Sequence, residues 1–116
     1  EELDEIIATP SRSGIIPRVT PTRVELDESL AEIRDRGWAM SDEMLSVGVR
    51  SIAAPVRDAS GRTAAAMNVT VHAAETSIAH LTGEYLPLLL STAAAVSQEW
   101  SNLALLPIAD EQPPRA

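Results

Sequence analysis

Residues 48–72 carry the sequence GVRSIAAPVRDASGRTAAAMNVTVH, and this stretch decides the fold. Two apolar segments flank a short polar turn, residues 58–61, in which Gly61 supplies the positive φ that such turns need. The pattern predicts an antiparallel hairpin. If its loop closes symmetrically, Arg57 faces Arg62, and Ser51 lies opposite Asn68.

Side chains alternate between the two faces of a strand, so the hairpin is expected to have one polar and one apolar face. The polar face is predicted to carry Val49, Ser51, Asn68 and Thr70, and the apolar face Ile52, Met67, Val69 and Val71. A sheet of this kind can hold a polar ligand, and a face simply wetted by water is the alternative. A bulge at Gly61 would move the register by one residue and undo the pairing.

Helical patterns lie on both sides of the hairpin. Residues 22–25 form a capping box and Gly37 offers a stop, which predicts a helix from about Arg23 to Arg36. Apolar spacing predicts a second helical region after His72, split by Pro87 into residues 77–83 and 85–103.

The remaining segments are shorter. Residues 2–8 resemble the last turns of an uncapped helix, so a missing amino-terminal portion is expected. Residues 9–21 are predicted to be a loop. Residues 38–40 are predicted to form a short strand, and 41–46 a polar connection. The tail, residues 107–116, is predicted to be disordered.

Composition narrows the class of protein. The 116 residues, 45% of them hydrophobic, predict one small domain with its own core. The absence of Cys excludes disulfides and thiolate metal sites and fits an intracellular protein. A formal charge of −8 argues against direct nucleic-acid binding by this segment, and no apolar run is long enough to predict a membrane span.

The sequence carries little that resembles a catalytic or cofactor-binding motif. His72 and His80 are the only imidazoles and lack metal-site spacing, and the scattered glycines form no phosphate-binding loop. No metal and no cofactor is therefore predicted. The enzymatic alternative uses Asp42, Glu43 or His72 on a small carbonyl substrate. A further alternative is a purely structural dimerisation module.

Three motifs together carry a family resemblance, namely RGWAMSDE at 36–43, GVRSIAAPVRD at 48–58 and NVTVHA at 68–73. They resemble the effector-binding domain of IclR-type bacterial transcription regulators, over about residues 26–103. The last motif is most similar to the branch that regulates aromatic-acid catabolism. The resemblance implies a GAF-like α/β (α+β) fold, an antiparallel sheet flanked by helices, of which residues 1–106 form the carboxyl-terminal half.

The resemblance also implies a site and partners. The family's ligand pocket falls here on Ser41, Ser51, Asn68 and Thr70. Because other members often carry Asp at the first of these positions, Asp42 is kept beside Ser41 as a ligand-binding candidate. The expected partners are a small carboxylate effector and further copies in a homodimer or homotetramer, with DNA bound by a winged helix-turn-helix absent from this chain. The resemblance implies a cytoplasmic protein that is not an enzyme.

Arg50 lies on the opposite parity from Ser51. It is therefore expected to anchor the hairpin to a helix or an acidic partner instead of touching the ligand.

Overall fold

The computed structural model describes residues 1–103 and shows a mixed α+β fold. The elements in order are α1 (Glu2–Ala8), α2 (Arg23–Arg36), β1 (Ala39–Asp42), β2 (Val49–Arg57), β3 (Thr63–His72), α3 (Ile78–His80), a π-helical turn (Leu81–Tyr85) and α4 (Leu86–Leu103). The strands form one antiparallel sheet in the order β1-β2-β3, so the predicted fold class is confirmed. None of the helices in this range is long and apolar enough to cross a membrane. The predicted tail, residues 107–116, lies outside the described residues.

Helix α2 begins and ends at the predicted residues. The Thr22 hydroxyl oxygen accepts a hydrogen bond from the Glu25 N–H at 3.2 Å, which satisfies one of the free amides of the first turn. Gly37 ends the helix in the left-handed region, at φ 84°, where a residue with a Cβ is disfavoured. Both signals are local, which is why the sequence could predict them.

The core lies between the sheet and α4. Alternate β2 residues, Ile52, Ala54 and Val56, point toward the helix and are buried. Leu86, Leu89 and Ala93 of α4 and Leu81 of the π-helical turn complete the buried set. The side chain of Ser97 accepts a hydrogen bond from the Arg57 N–H at 2.9 Å and ties α4 to the end of β2.

The second helical region is not broken into two separate helices, because helical structure runs without a gap from residue 78 to residue 103 and Pro87 is preceded by a π-helical turn. We expected helices over 77–83 and 85–103, and the structure has α3, the π-helical turn and α4. Pro87 has no N–H to donate, and just before it the Leu86 N–H bonds to the Leu81 carbonyl, five residues back. The wider π-helical turn therefore accommodates Pro87 without a break in the helix.

The predicted hairpin register is wrong by two residues. Ser51 pairs with Thr70, and Asn68 pairs with Ala53. The Asp58 N–H donates to the Arg62 carbonyl at 2.9 Å, so the loop closes between those two residues and not symmetrically after Arg57. A second irregularity beyond Val56 adds one more residue. Because the combined shift is even, every side chain keeps its predicted face.

Strand β1 is longer than predicted. We expected a strand over 38–40 followed by a polar connection, but the pairing continues through Ser41 and Asp42, which lie opposite Ser51 and Arg50. This extension places two polar side chains of β1 in the sheet, one on each face.

Candidate functional site

Three hydroxyl side chains form a row across the sheet. Ser41 pairs with Ser51, and Ser51 pairs with Thr70. Paired residues project to the same face, and neighbouring strands lie about 4.8 Å apart, so this hydroxyl row is about 10 Å long. Ser41 and Ser51 are half-buried, and Thr70 is exposed. The row offers several uncharged donors to one small anion.

Asn68 belongs to the same face, one row further along. It pairs with Ala53, and its Nδ2 donates to the Thr70 Oγ1 at 3.1 Å. Since the Thr70 oxygen accepts from Asn68, its own proton can point away from the sheet toward a ligand. The structure therefore brings together four of the five residues predicted for the site.

Asp42 is separated from the other four. It lies on the opposite face, where its Oδ1 accepts from the Arg50 Nε at 2.7 Å. The Arg50 Nη1 also donates to the Thr76 carbonyl at 2.7 Å, and its side chain is only 12% exposed. Arg50 thus joins β1 to the segment after β3, which is the anchoring role expected from its parity.

An alanine-floored cleft of about 300 Å³ adjoins the hydroxyl row on the same face. Its floor is formed by Ala39, Ala53 and Ala66, whose short side chains leave space above the sheet. Ala39 and Ala53 lie two residues from Ser41 and Ser51, which is about 7 Å along the strands. The rest of the lining, including the walls and rim, is supplied by Ile33, Trp38, Arg34, Arg57, Gly37, Ala54, Pro55 and Thr63.

Two other cavities lie elsewhere in the described chain. One of about 380 Å³ runs between β2 and the second half of α4, beside Ala93 and Ser97 on the core side. The other, about 210 Å³, lies between the edge of β3 and Tyr85, and Asn68 reaches its lining. None of these three cavities is lined by a hydroxyl of the row. The alanine-floored cleft is linked to the row by its floor, because Ala39 and Ala53 lie on the same face as Ser41 and Ser51.

The residues of the enzymatic alternative do not converge. His72 is exposed on the polar face opposite Val49, whereas Asp42 is on the other face. The Glu43 Oε1 accepts from the Gly48 N–H at 2.7 Å and is thereby held within its own loop. No acid–base pair is formed between these residues.

The cleft was missed by the sequence reasoning. A pattern of small residues could have revealed it. Ala39 precedes Ser41 by two residues and Ala53 follows Ser51 by two residues, and residues two apart on a strand lie on the same face. Arg34 and Arg57 at the rim were also missed, because the closeness of α2 and the hairpin end depends on tertiary structure.

Comparison with known proteins identifies the family. The model of the bacterial transcriptional regulator IclR C-terminal family matches residues 1–98. The chain belongs to this family. A Pca regulon regulatory protein of Pseudomonas putida is 40% identical over 62 residues, covering 53% of this chain and 21% of that protein. The family and this relative are regulators and not enzymes, so the enzymatic alternative is wrong.

Solved structures with a similar fold are also transcriptional regulators. A proposed transcriptional regulator from Rhodococcus sp. RHA1 is 33% identical with a TM-score of 0.76, covering 88% of this chain and 41% of its own. The inducer-binding domain of a PobR double mutant from Acinetobacter, solved with 3-hydroxybenzoic acid, is 25% identical with a TM-score of 0.67, covering 79% of this chain and 59% of its own. The chain therefore spans about a fifth of the Pca regulatory protein and less than half of the regulator from Rhodococcus.

Proposed function

We propose that this chain is the effector-sensing part of an IclR-type transcriptional regulator and that it binds a small organic acid, an aromatic acid or a ring-cleavage product. The acid group lies on the hydroxyl row, and the carbon skeleton lies over the alanine-floored cleft. The observation that carries the proposal is the position of Ser41, Ser51 and Thr70 in one row beside that cleft.

The chemistry of the row suits a carboxylate. Hydroxyl and amide donors form charge-assisted hydrogen bonds to an anion without requiring a buried cation, whose desolvation would oppose folding. Asn68 adds an amide beside Thr70, and its bond to that hydroxyl fixes the donor direction. The half-buried positions of Ser41 and Ser51 strengthen such bonds relative to fully solvated ones.

The cleft suits a flat apolar ring. Three alanines and Pro55 lie on the floor side of the cleft, and Ile33 and Trp38 provide apolar walls. Burial of a ring-sized apolar group contributes about 1.5–3 kcal/mol. Because the alanine side chains leave the cleft open, a ligand ring can be buried there and gain this free energy on binding. The Pca relative and the PobR complex with 3-hydroxybenzoic acid support an aromatic acid as the ligand class.

Regulation follows from differential binding. An acid that bridges β1, β2 and β3 favours the arrangement of strands and subunits in which the hydroxyls converge. In a cytoplasmic homodimer or homotetramer, that arrangement sets the spacing of winged helix-turn-helix domains on DNA, and DNA binding changes acid affinity by the same factor. Transcription is controlled in this way without covalent chemistry.

Calorimetric titration tests the proposal. The purified protein is titrated with protocatechuate, 4-hydroxybenzoate and β-ketoadipate, and the titration is repeated with Asn68→Leu. Loss of a hydrogen bond to a charged group costs about 1.5–3 kcal/mol, so affinity should fall about 10- to 150-fold. Asn102→Leu, which changes the chain's other asparagine on an exposed part of α4, is the matched control. Equal affinity in both variants would refute the site.

A further inference from the structure

The loop between β1 and β2, residues 43–48, borders the hydroxyl row. It follows Ser41 by two residues, and its other end meets Val49, the partner of His72. Glu43 begins the loop with φ 54° and is the non-glycine residue that takes a positive φ within residues 1–103. An L-residue is disfavoured there, so the surrounding contacts must hold it.

Glu43 makes three hydrogen bonds, of which two close this loop and the third joins it to Arg18. Its N–H donates to the Val49 carbonyl at 2.9 Å, and its Oε1 accepts from the Gly48 N–H at 2.7 Å. Its carbonyl accepts from the Arg18 Nη1 at 3.0 Å. The bond to Gly48 is half-buried, which protects it from exchange with water.

A segment outside the helices and strands, residues 17–20, hydrogen-bonds to the loop and is called here the strap. The Arg18 N–H donates to the Leu45 carbonyl at 3.1 Å, and the Val19 N–H donates to the Met44 carbonyl at 2.9 Å. Together with the Arg18 guanidinium, three bonds join the strap to the loop. The strap precedes α2, so a change in the loop reaches the segment that connects α1 to the rest of the fold.

We propose that Glu43 is a positioning residue that holds loop 43–48 beside the hydroxyl row and couples acid binding to docking of the strap. This inference rests on the proposed function. A bound acid restricts Ser41 and Ser51, which lie two residues before and three residues after the loop. A fixed loop keeps its carbonyls aligned with the strap amides. By linkage, a docked strap raises acid affinity by the same factor.

Two variants distinguish the effect of the Glu43 carboxylate from the effect of its backbone conformation. Glu43→Gly accepts the positive φ but removes the Oε1 that holds Gly48, whereas Glu43→Gln retains an acceptor of the same length. Amide hydrogen exchange at Gly48, Arg18 and Val19 reports loop and strap opening, and calorimetric titration with 4-hydroxybenzoate reports affinity. The urea midpoint measures global stability separately.

The expected result for Glu43→Gly is faster exchange at all three amides and roughly tenfold weaker binding, with an unchanged urea midpoint. Glu43→Gln should behave as the unaltered protein in all three measurements. Unchanged exchange in Glu43→Gly, or faster exchange with unaltered affinity, would overturn the inference while leaving acid binding intact. Failure of the unaltered protein to bind any of the acids would instead overturn the proposed function, and the coupling with it.

Discussion

Leucine substitutions at two neighbouring alanines, Ala53 and Ala54, should have different effects, because one residue faces the cleft and the other faces the core. Ala53 faces the alanine-floored cleft, whereas Ala54 faces α4 and is 2% exposed. Ala54 also borders the cavity of about 380 Å³, but it belongs to the buried cluster with Ile52, Leu89 and Ala93, and added carbons that overpack this cluster cost about 1–3 kcal/mol. At Ala53 they enter open space of about 300 Å³, where each buried methylene contributes about 0.8 kcal/mol. Ala53→Leu should therefore leave the free energy of unfolding unchanged or raise it.

For ligand binding, the two variants should show the opposite pattern: the Ala53 variant should be the more affected one. Leucine at Ala53 occupies the place of the ligand's ring and removes about 1.5–3 kcal/mol of burial, so the affinity for 4-hydroxybenzoate should fall about 10- to 150-fold. Ala54→Leu should lower stability and change affinity little. Urea unfolding and calorimetric titration measure the two effects. A destabilised Ala53→Leu, or one that binds the acid normally, would refute the assignment of this cleft.

Three further predictions concern the core, the hairpin loop and the cleft rim. Leu81→Ala should lower the free energy of unfolding by about 2–5 kcal/mol in urea, because Leu81 is 0% exposed; a loss below about 1 kcal/mol would contradict that burial. Hydrogen bonds from Ser60, led by its hydroxyl, lower the pKa of Asp58 from its ordinary 3.8, so the charge of Asp58 stabilises the fold above about pH 4 and ceases to do so as pH falls through the lowered pKa. The difference in urea midpoint between the unaltered protein and Asp58→Asn should accordingly shrink between about pH 6 and about pH 2, and a constant difference would contradict it. Arg34→Gln and Arg57→Gln should leave acid affinity within about twofold, since the carboxylate is assigned to the hydroxyls; a loss of about tenfold would place it at the rim instead.

The parts of the fold with local causes could be predicted from the sequence. Helix α2 was predicted from its cap at Thr22 to its end at Gly37, because both act on neighbouring backbone groups. The exact pairing of the hairpin could not be predicted in this way. It depends on how Asp58 organises its loop, accepting from the Ser60 and Arg62 N–H groups, and on an irregularity further along the strands.

The predicted faces of the strand residues are correct although the predicted register is wrong, because a shift of two residues leaves each side chain on the same face. Ser51 and Thr70 were placed on one face by parity alone, and they prove to be direct partners. Which of Ser41 and Asp42 shares the face of Ser51 could not be predicted, since it depends on β1 continuing through both residues and on the Asp42 carboxylate accepting from Arg50. The cleft required them too, because its wall at Ile33 comes from a helix distant in sequence.

The central claim is that uncharged donors on one face of the sheet hold the acid group of the effector. A crystal structure of the protein with 4-hydroxybenzoate tests it most directly. The account predicts a carboxylate within about 3 Å of the Ser51 and Thr70 hydroxyl oxygens, with the ring over Ala53. An acid bound between α4 and the core side of the sheet, or with its carboxylate on Arg34 and Arg57, would contradict it.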